Sequence, residues 1–196
     1  MAEPDPQPSG ARTVCVFCAS SQRIPQRYLD LAADTGTALA TRGWTLVSGA
    51  GSISMMGAVA RAARAAGGRT IGVIPQHLVD MEVADEDADE LVVTRDMRQR
   101  KGVMDERSDA FLALPGGIGT LEELMEIWTS RHLRMHPKPI VVLDPWGDYA
   151  LLREQIAHWI EVGFVSASAA DQVTWTSSVD QAIAAIADGW ATADGP

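Results

Sequence analysis

Short apolar runs rich in β-branched residues alternate along the chain with longer stretches whose apolar positions recur every three or four residues. The first pattern predicts strands and the second amphipathic helices. Strands are expected at residues 13–18, 44–48, 70–74, 91–94, 110–114, 139–143 and 172–176. Helices are expected at 25–42, 55–66, 96–108, 121–133, 148–162 and 179–188, with Gly or Pro at many of the joins. The strand runs are apolar throughout instead of alternating, as in a sheet covered by helices on both faces. Their order predicts a doubly wound, Rossmann-like α/β fold with a parallel sheet of about seven strands. Residues 1–12, with Pro4, Pro6, Pro8, Ser9 and Gly10, are expected to form a disordered tail, 13–190 a single domain and 191–196 a C-terminal tail.

Three strands run into small-residue segments: Ala19-Ser20-Ser21, Ser48-Gly49-Ala50-Gly51-Ser52 and Pro115-Gly116-Gly117-Ile118-Gly119-Thr120. In open parallel sheets ligands bind outside the carboxyl ends of the strands, where these segments fall. In the third, glycines let bare N–H groups approach a ligand at a helix start that carries partial positive charge, which suits a phosphate. It is neither a Walker loop nor a Gly-x-Gly-x-x-Gly dinucleotide loop. A tight strand-to-helix turn needing Gly for geometry alone is the equal alternative.

Thr120 and Glu123 have capping-box spacing, with Thr capping the helix and Glu reaching back to its backbone; on spacing alone this is the better reading of Glu123. A carboxylate in the first helical turn is also stabilised as an anion. On the helix at 96–108, Arg100 falls between Val103 and Met104 inside the apolar sector, with Met97 beyond it and Lys101 on the flank. A lone Arg there snorkels out to solvent; a guanidinium held beside a crevice is the functional alternative. Arg100 and Lys101 together supply the positive charge that a phosphate and Glu123 would both demand.

Composition narrows the partners. With 26 acidic against 16 basic residues the net charge is -10, which repels a nucleic-acid polymer or an anionic membrane. A single nucleotide needs only one local positive site. No window is long and apolar enough to span a bilayer and no leader is evident, so a cytoplasmic location is expected. Cys15 and Cys18 have an odd separation that sends them to opposite strand faces, and they read as core thiols. The acidic run of Glu82, Asp85, Glu86, Asp87, Asp89 and Glu90 reads as a solvated loop without EF-hand spacing. His132 and His136 are four apart, but Pro137 ends their helix and no zincin glutamate follows. No Gly-x-Ser-x-Gly elbow is present. Neither a metal nor a cofactor is expected.

The segment Pro115-Gly-Gly-Ile-Gly-Thr-Leu-Glu-Glu123, preceded by Met97-Arg-Gln-Arg-Lys101 and Ser108-Asp-Ala-Phe-Leu-Ala-Leu114, resembles the Lonely Guy (LOG) family, which shows a PGGxGTxxE motif after an RK pair. Further matching pieces are Ser48-Gly-Ala-Gly-Ser-Ile-Ser-Met-Met-Gly57, Gly72-Val-Ile-Pro75, Glu82 and His136-Pro-Lys-Pro139, so the resemblance runs over residues 13–176. It implies a hydrolase that cleaves the N-glycosidic bond of N6-modified adenosine 5′-monophosphates (cytokinin riboside monophosphates), and in some members AMP, to free base and ribose 5-phosphate. It also implies Arg100 and Glu123 as the catalytic pair. Implied substrate contacts are Glu82, Arg100, Lys101, Gly116, Gly117, Ile118, Gly119, Thr120, Leu121, Glu122, Glu123 and Thr129.

The same resemblance implies a homodimer with sites near the interface, and Leu124, Met125 and Trp128 are the helix residues expected to pack there. The chain departs from the family's GGGSxGLMG at Ala50 and Ser54, and from its WAQLGIH ending over residues 128–136. The label lysine decarboxylase, also attached to such chains, finds no cofactor site around Lys101 or Lys138, the two lysines. A nucleotide-binding or carrier protein of the same fold is the alternative: it needs the glycines but not Glu123 together with Arg100.

Overall fold

In the computed structural model, residues 11–81 and 84–193 are described. The strands are β1 (Thr13–Phe17), β2 (Thr45–Ser48), β3 (Thr70–Pro75), β4 (Glu90–Thr94), β5 (Ala110–Ala113), β6 (Ile140–Leu143) and β7 (Val173–Thr176). Between and after them lie helices α1 (Gln26–Thr41), α2 (Ser54–Ala65), α3 (Gln76–Val79), α4 (Met97–Glu106), α5 (Ile118–His132), α6 (Ala150–Val162), α7 (Ala167–Ala170) and α8 (Val179–Ala193). Each expected strand and helix is present. The additional α3 and α7 are single turns, too short to carry an apolar period. The tail expected at 1–12 lies outside the described residues except for Ala11 and Arg12, as do residues 194–196 and Glu82.

Among the described residues the sheet has seven strands, all parallel, in the order β4-β3-β2-β1-β5-β6-β7. Alternate side chains enter two separate cores. Val14, Val16, Leu46, Leu112 and Val141 meet Leu39 of α1, Val59 of α2 and Ile183 of α8 on one face. Cys15, Phe17, Val47, Val73 and Phe111 meet Met104 of α4, Leu124 and Trp128 of α5 and Ile156 of α6 on the other. Cys15 and Cys18 go to opposite cores as free thiols, and burial raises both above the ordinary thiol range. The edge strands depart from the all-buried expectation: Val93 of β4 and Thr174 of β7 face solvent, while Val92 and Val173 beside them pack on the core, so each edge strand is covered on one face.

Three further expectations are corrected. Helix α8 runs to Ala193 instead of stopping at residue 188. Trp190 is the reason: it packs edge-on against Trp44, and its indole N–H donates to the Asp109 carbonyl at 2.8 Å. Leu124 and Trp128 are not available to a partner, being buried in the core under α5, with the Trp128 indole donating to the Ala169 carbonyl at 2.7 Å. The helical period defines an apolar stripe without saying what covers it, and here the sheet does. The acidic run is not simply solvated either. Asp85 is buried in a two-pronged pair with Arg64 (2.9 and 3.0 Å), Asp89 accepts from the Thr70 N–H and hydroxyl, and Glu90 joins Arg69 to Arg107.

The chain steps outward from β1 through β2, β3 and β4, then returns to the other side of β1 at β5. The β1 and β5 ends therefore form the topological switch point at which such sheets open a crevice. No helix among the described residues is long and apolar enough to cross a membrane. Because Leu124 is wholly buried, Leu124→Ala is expected to lower stability by about 2–5 kcal/mol, measured by urea unfolding. A residue on an open helix face would change it by less than about 0.5 kcal/mol.

Candidate active site

A crevice of about 380 Å³ opens at the switch point, lined by Ala19 and Ser21 after β1, Tyr28 of α1, Met55 of α2 and residues 115–117 after β5. The turn into α5 forms its floor. Gly117 is the N-cap and no side chain caps the helix, so the N–H groups of Ile118, Gly119 and Thr120 have no helical acceptor. The two readings of this turn separate residue by residue. A Cβ on Gly116 would lie 2.1 Å from the Thr120 hydroxyl, so that glycine is demanded by the turn itself. Cβ atoms on Gly117 or Gly119 would meet nothing, and neither has a positive φ. Their bareness leaves room for a ligand. Ile118 between them is 89% exposed.

The helix start also overturns the capping box. The N-cap is Gly117 and not Thr120, which is the third helical residue with its side chain buried against Gly116, and Glu123 lies beyond the first turn. A cap of that kind is found instead on α4, where the Asp96 carboxylate accepts the Gln99 N–H at 2.9 Å and the Gln99 side chain accepts the Arg95 N–H at 2.8 Å. Glu123 is thereby released from a local role. Its side chain is 11% exposed and accepts no hydrogen bond from any described residue.

The snorkelling expected of a lone Arg100 is not found: its side chain is 8% exposed, and Nη1 stands 3.7 Å from Glu123 Oε1. Its Nε donates to the Val73 carbonyl at 3.0 Å, which fixes the plane of the guanidinium beyond the end of β2. The 3.7 Å separation is too long for a hydrogen bond, so the pair attracts without saturating either member. Burial pushes the Glu123 carboxyl up to about 7, against the opposing pull of Arg100. This corrects the expectation of an anion stabilised by the helix start: desolvation dominates because α4 and α5 close over the group.

The other predicted residues divide. Gly116 and Gly117 line the crevice. Leu121 packs on the core beneath α5. Lys101 is committed to Glu122 and Glu126 of α5, and these hydrogen bonds raise its ammonium above the usual lysine range. Thr129 lies on a different face of α5 from Glu123 and lines an apolar groove with Met125 and Trp128. Beside Glu123 itself is a cavity of about 60 Å³, room for water and not for a nucleotide.

Sequence reasoning missed Tyr149. Its buried hydroxyl donates to the Leu114 carbonyl at 2.8 Å, tying the end of β5, just before the glycine turn, to the start of α6. No local pattern marks it, since its partner lies far back in the chain. No group of three or more His, Cys, Asp or Glu side chains among the described residues is placed to hold a metal ion.

Raised carboxyl ionisation carries a stability consequence. Neutral Glu123 suits the folded state, so its contribution is full below the unfolded value near 4.5 and is lost as pH rises through about 7. Glu123→Gln is therefore expected to be more stable than the parent at pH 8, by up to about 3 kcal/mol. The gap should close toward pH 4.5 in thermal unfolding measured across that range.

Comparison with known proteins identifies the family. The chain matches the family described as "Possible lysine decarboxylase" over residues 56–186. The cytokinin riboside 5′-monophosphate phosphoribohydrolase of Mycobacterium marinum is 51% identical over 180 residues, covering 92% of this chain and 96% of the relative. The LOG3 enzyme of the same description from Arabidopsis thaliana is 45% identical over 163 residues, covering 83% and 76%. Among solved structures, the molybdenum cofactor carrier protein of Chlamydomonas reinhardtii matches with a TM-score of 0.70 at 24% identity, over 92% of this chain and 99% of that one, a likeness of fold. The molybdenum cofactor binding protein of Rippkaea orientalis gives 0.71 at 25% identity, over 91% and 96%. Identity of half the residues with a LOG relative over nearly the whole chain, together with the family match, leaves one conclusion: this chain belongs to the Lonely Guy (LOG) family.

Proposed function

We propose that the protein hydrolyses the N-glycosidic bond of N6-modified adenosine 5′-monophosphates, releasing the free base and ribose 5-phosphate. The observation that carries this reading is the Arg100–Glu123 pair, withdrawn from water yet unsaturated, beside an uncapped helix start. Two relatives of this chain are named as phosphoribohydrolases of cytokinin riboside 5′-monophosphates, which supports the substrate class.

Cleavage passes through an oxocarbenium-like state at C1′, which a nearby carboxylate stabilises. Glu123 as the anion lies beneath the ribose and orients the attacking water. The water oxygen bonds C1′, the C1′–N bond breaks with its electron pair going to the base nitrogen, the water proton passes to the carboxylate, and the departing nitrogen takes up a proton from solvent. The 5′-phosphate accepts from the N–H groups of residues 118–120, and Arg100 adds charge-assisted hydrogen bonds to phosphate or ribose. Binding energy gathered at the phosphate then holds C1′ in place for attack. Lys101 and Glu122 contribute contacts at the margin. We infer a cytoplasmic location, where a nucleoside monophosphate substrate is available.

The decarboxylase description suits the residues less well. A lysine forming a Schiff base must be neutral, whereas Lys101 is held protonated by two glutamates and Lys138 is bound to Asp105. Carriers share the fold, but a carrier has no use for a carboxyl poised at neutrality beside a fixed guanidinium. We also assign a homodimer, joined through the apolar groove of about 190 Å³ whose accessible rim is Met125, Thr129, His132 and Trp159.

Incubated separately with isopentenyladenosine 5′-monophosphate and with AMP, the protein should release free base, detected by chromatography. A carrier would return both nucleotides intact. Glu123→Gln should stay folded and lose at least about 100-fold in kcat. The rate should climb as pH rises through about 7, where the carboxylate forms. Sedimentation should give twice the 21.0 kDa chain mass, and Met125→Asp should reduce it to the monomer.

A further inference from the structure

Arg100 is held where it is by an atom that is missing. A Cβ placed on Gly49 would lie 1.8 Å from Nη2 of Arg100 and 3.0 Å from its Cζ, so no side chain at 49 coexists with the guanidinium in this place. The backbone itself makes no such demand, because Gly49 does not have a positive φ. The remaining sides are closed by the Val73 carbonyl on Nε, the Met97 sulfur 3.6 Å from Nη1, and Glu123.

We propose that Gly49 is a positioning residue: its bare backbone is the socket that seats the Arg100 guanidinium against Glu123. The inference rests on the hydrolase reading only for its kinetic consequences. The loop that carries Gly49 has nowhere to retreat. Its next residue, Ala50, points its methyl into the space left by Gly72, 2.7 Å from where a Cβ there would stand. The Ala50 carbonyl accepts the Asp85 N–H at 2.8 Å, and Asp85 is locked to Arg64. On the other side, the Met56 sulfur would be 3.3 Å from a Cβ on Gly49. A methyl at 49 therefore displaces the far end of Arg100, a flexible side chain, and leaves the loop and the fold in place. Four charged groups act on Glu123: Arg100 and Lys101 favour its anion, and Glu122 and Glu126 oppose it. Arg100 is the strongest of them, so moving it lets the carboxyl titrate at higher pH.

Gly49→Ala is the test, read in two ways that a general loss of folding would not reproduce. Kinetically, kcat should fall about 100-fold with KM within about threefold, as for a misplaced catalytic group. Independently of turnover, the Glu123 carboxyl, followed by ¹³C NMR, should titrate above its parent value of about 7. Gly49→Ala combined with Arg100→Ala should unfold at the same temperature as Arg100→Ala alone, since the clash is then gone. An unchanged titration and kcat in Gly49→Ala, or a further loss of stability in the double variant, would overturn the socket. Absence of base release by the parent protein sinks the hydrolase reading, while the titration and the unfolding comparison still judge the socket.

Discussion

A carboxyl and a guanidinium held together out of water are the constraint on which this molecule turns. Burying such a pair gains little stability, because the lost hydration of both ions offsets their attraction. Here the attraction is not even completed, since 3.7 Å leaves both groups short of a hydrogen bond. A buried pair kept at that cost and left incomplete, with a small cavity beside the carboxyl, is not explained by folding stability. Glu123 answers to two opposed influences, desolvation and the nearby guanidinium, and its ionisation settles near neutrality because the first prevails.

The doubly wound sheet makes that pairing possible. Arg100 comes from the helix between β4 and β5, and Glu123 from the helix after β5. The reversal of strand order at β1 sets these helices on one face, so that the guanidinium passes the end of β2 and meets the carboxyl. The glycine turn then falls at the switch point, where α5 presents its free N–H groups outward. Tyr149 anchors the end of β5, just before this turn, from the start of α6, so the geometry of the phosphate candidate site depends on an element far away in sequence.

The loop after β2 shows how a family pattern can be altered without being lost. Ala50 and Ser54, standing where the family has glycine, both adopt the left-handed region, at φ 54° and 55°. A side chain there costs on the order of 1 kcal/mol. Each side chain is put to use: the Ala50 methyl fills the gap at Gly72, and the Ser54 hydroxyl donates to the Ser21 carbonyl, joining two of the loops that frame the crevice. The departures thus leave the backbone path intact.

Much of this was legible in the chain. Unbroken apolar strands can only be covered on both faces, so the layered fold, the seven strands and the opposite burial of Cys15 and Cys18 followed from period and composition. The small-residue turns marked the crevice because position in a parallel strand fixes which end they occupy. What local pattern could not supply was context. The spacing of Thr120 and Glu123 fits a cap equally well wherever a helix begins, and only the actual start at Ile118 freed the carboxyl. An apolar stripe on α5 does not name its partner, and an acidic run does not reveal that Asp85 will meet Arg64. Those outcomes depend on contacts between residues distant in sequence, and burial, which sets the charge of Glu123, exists only once the chain has closed around it.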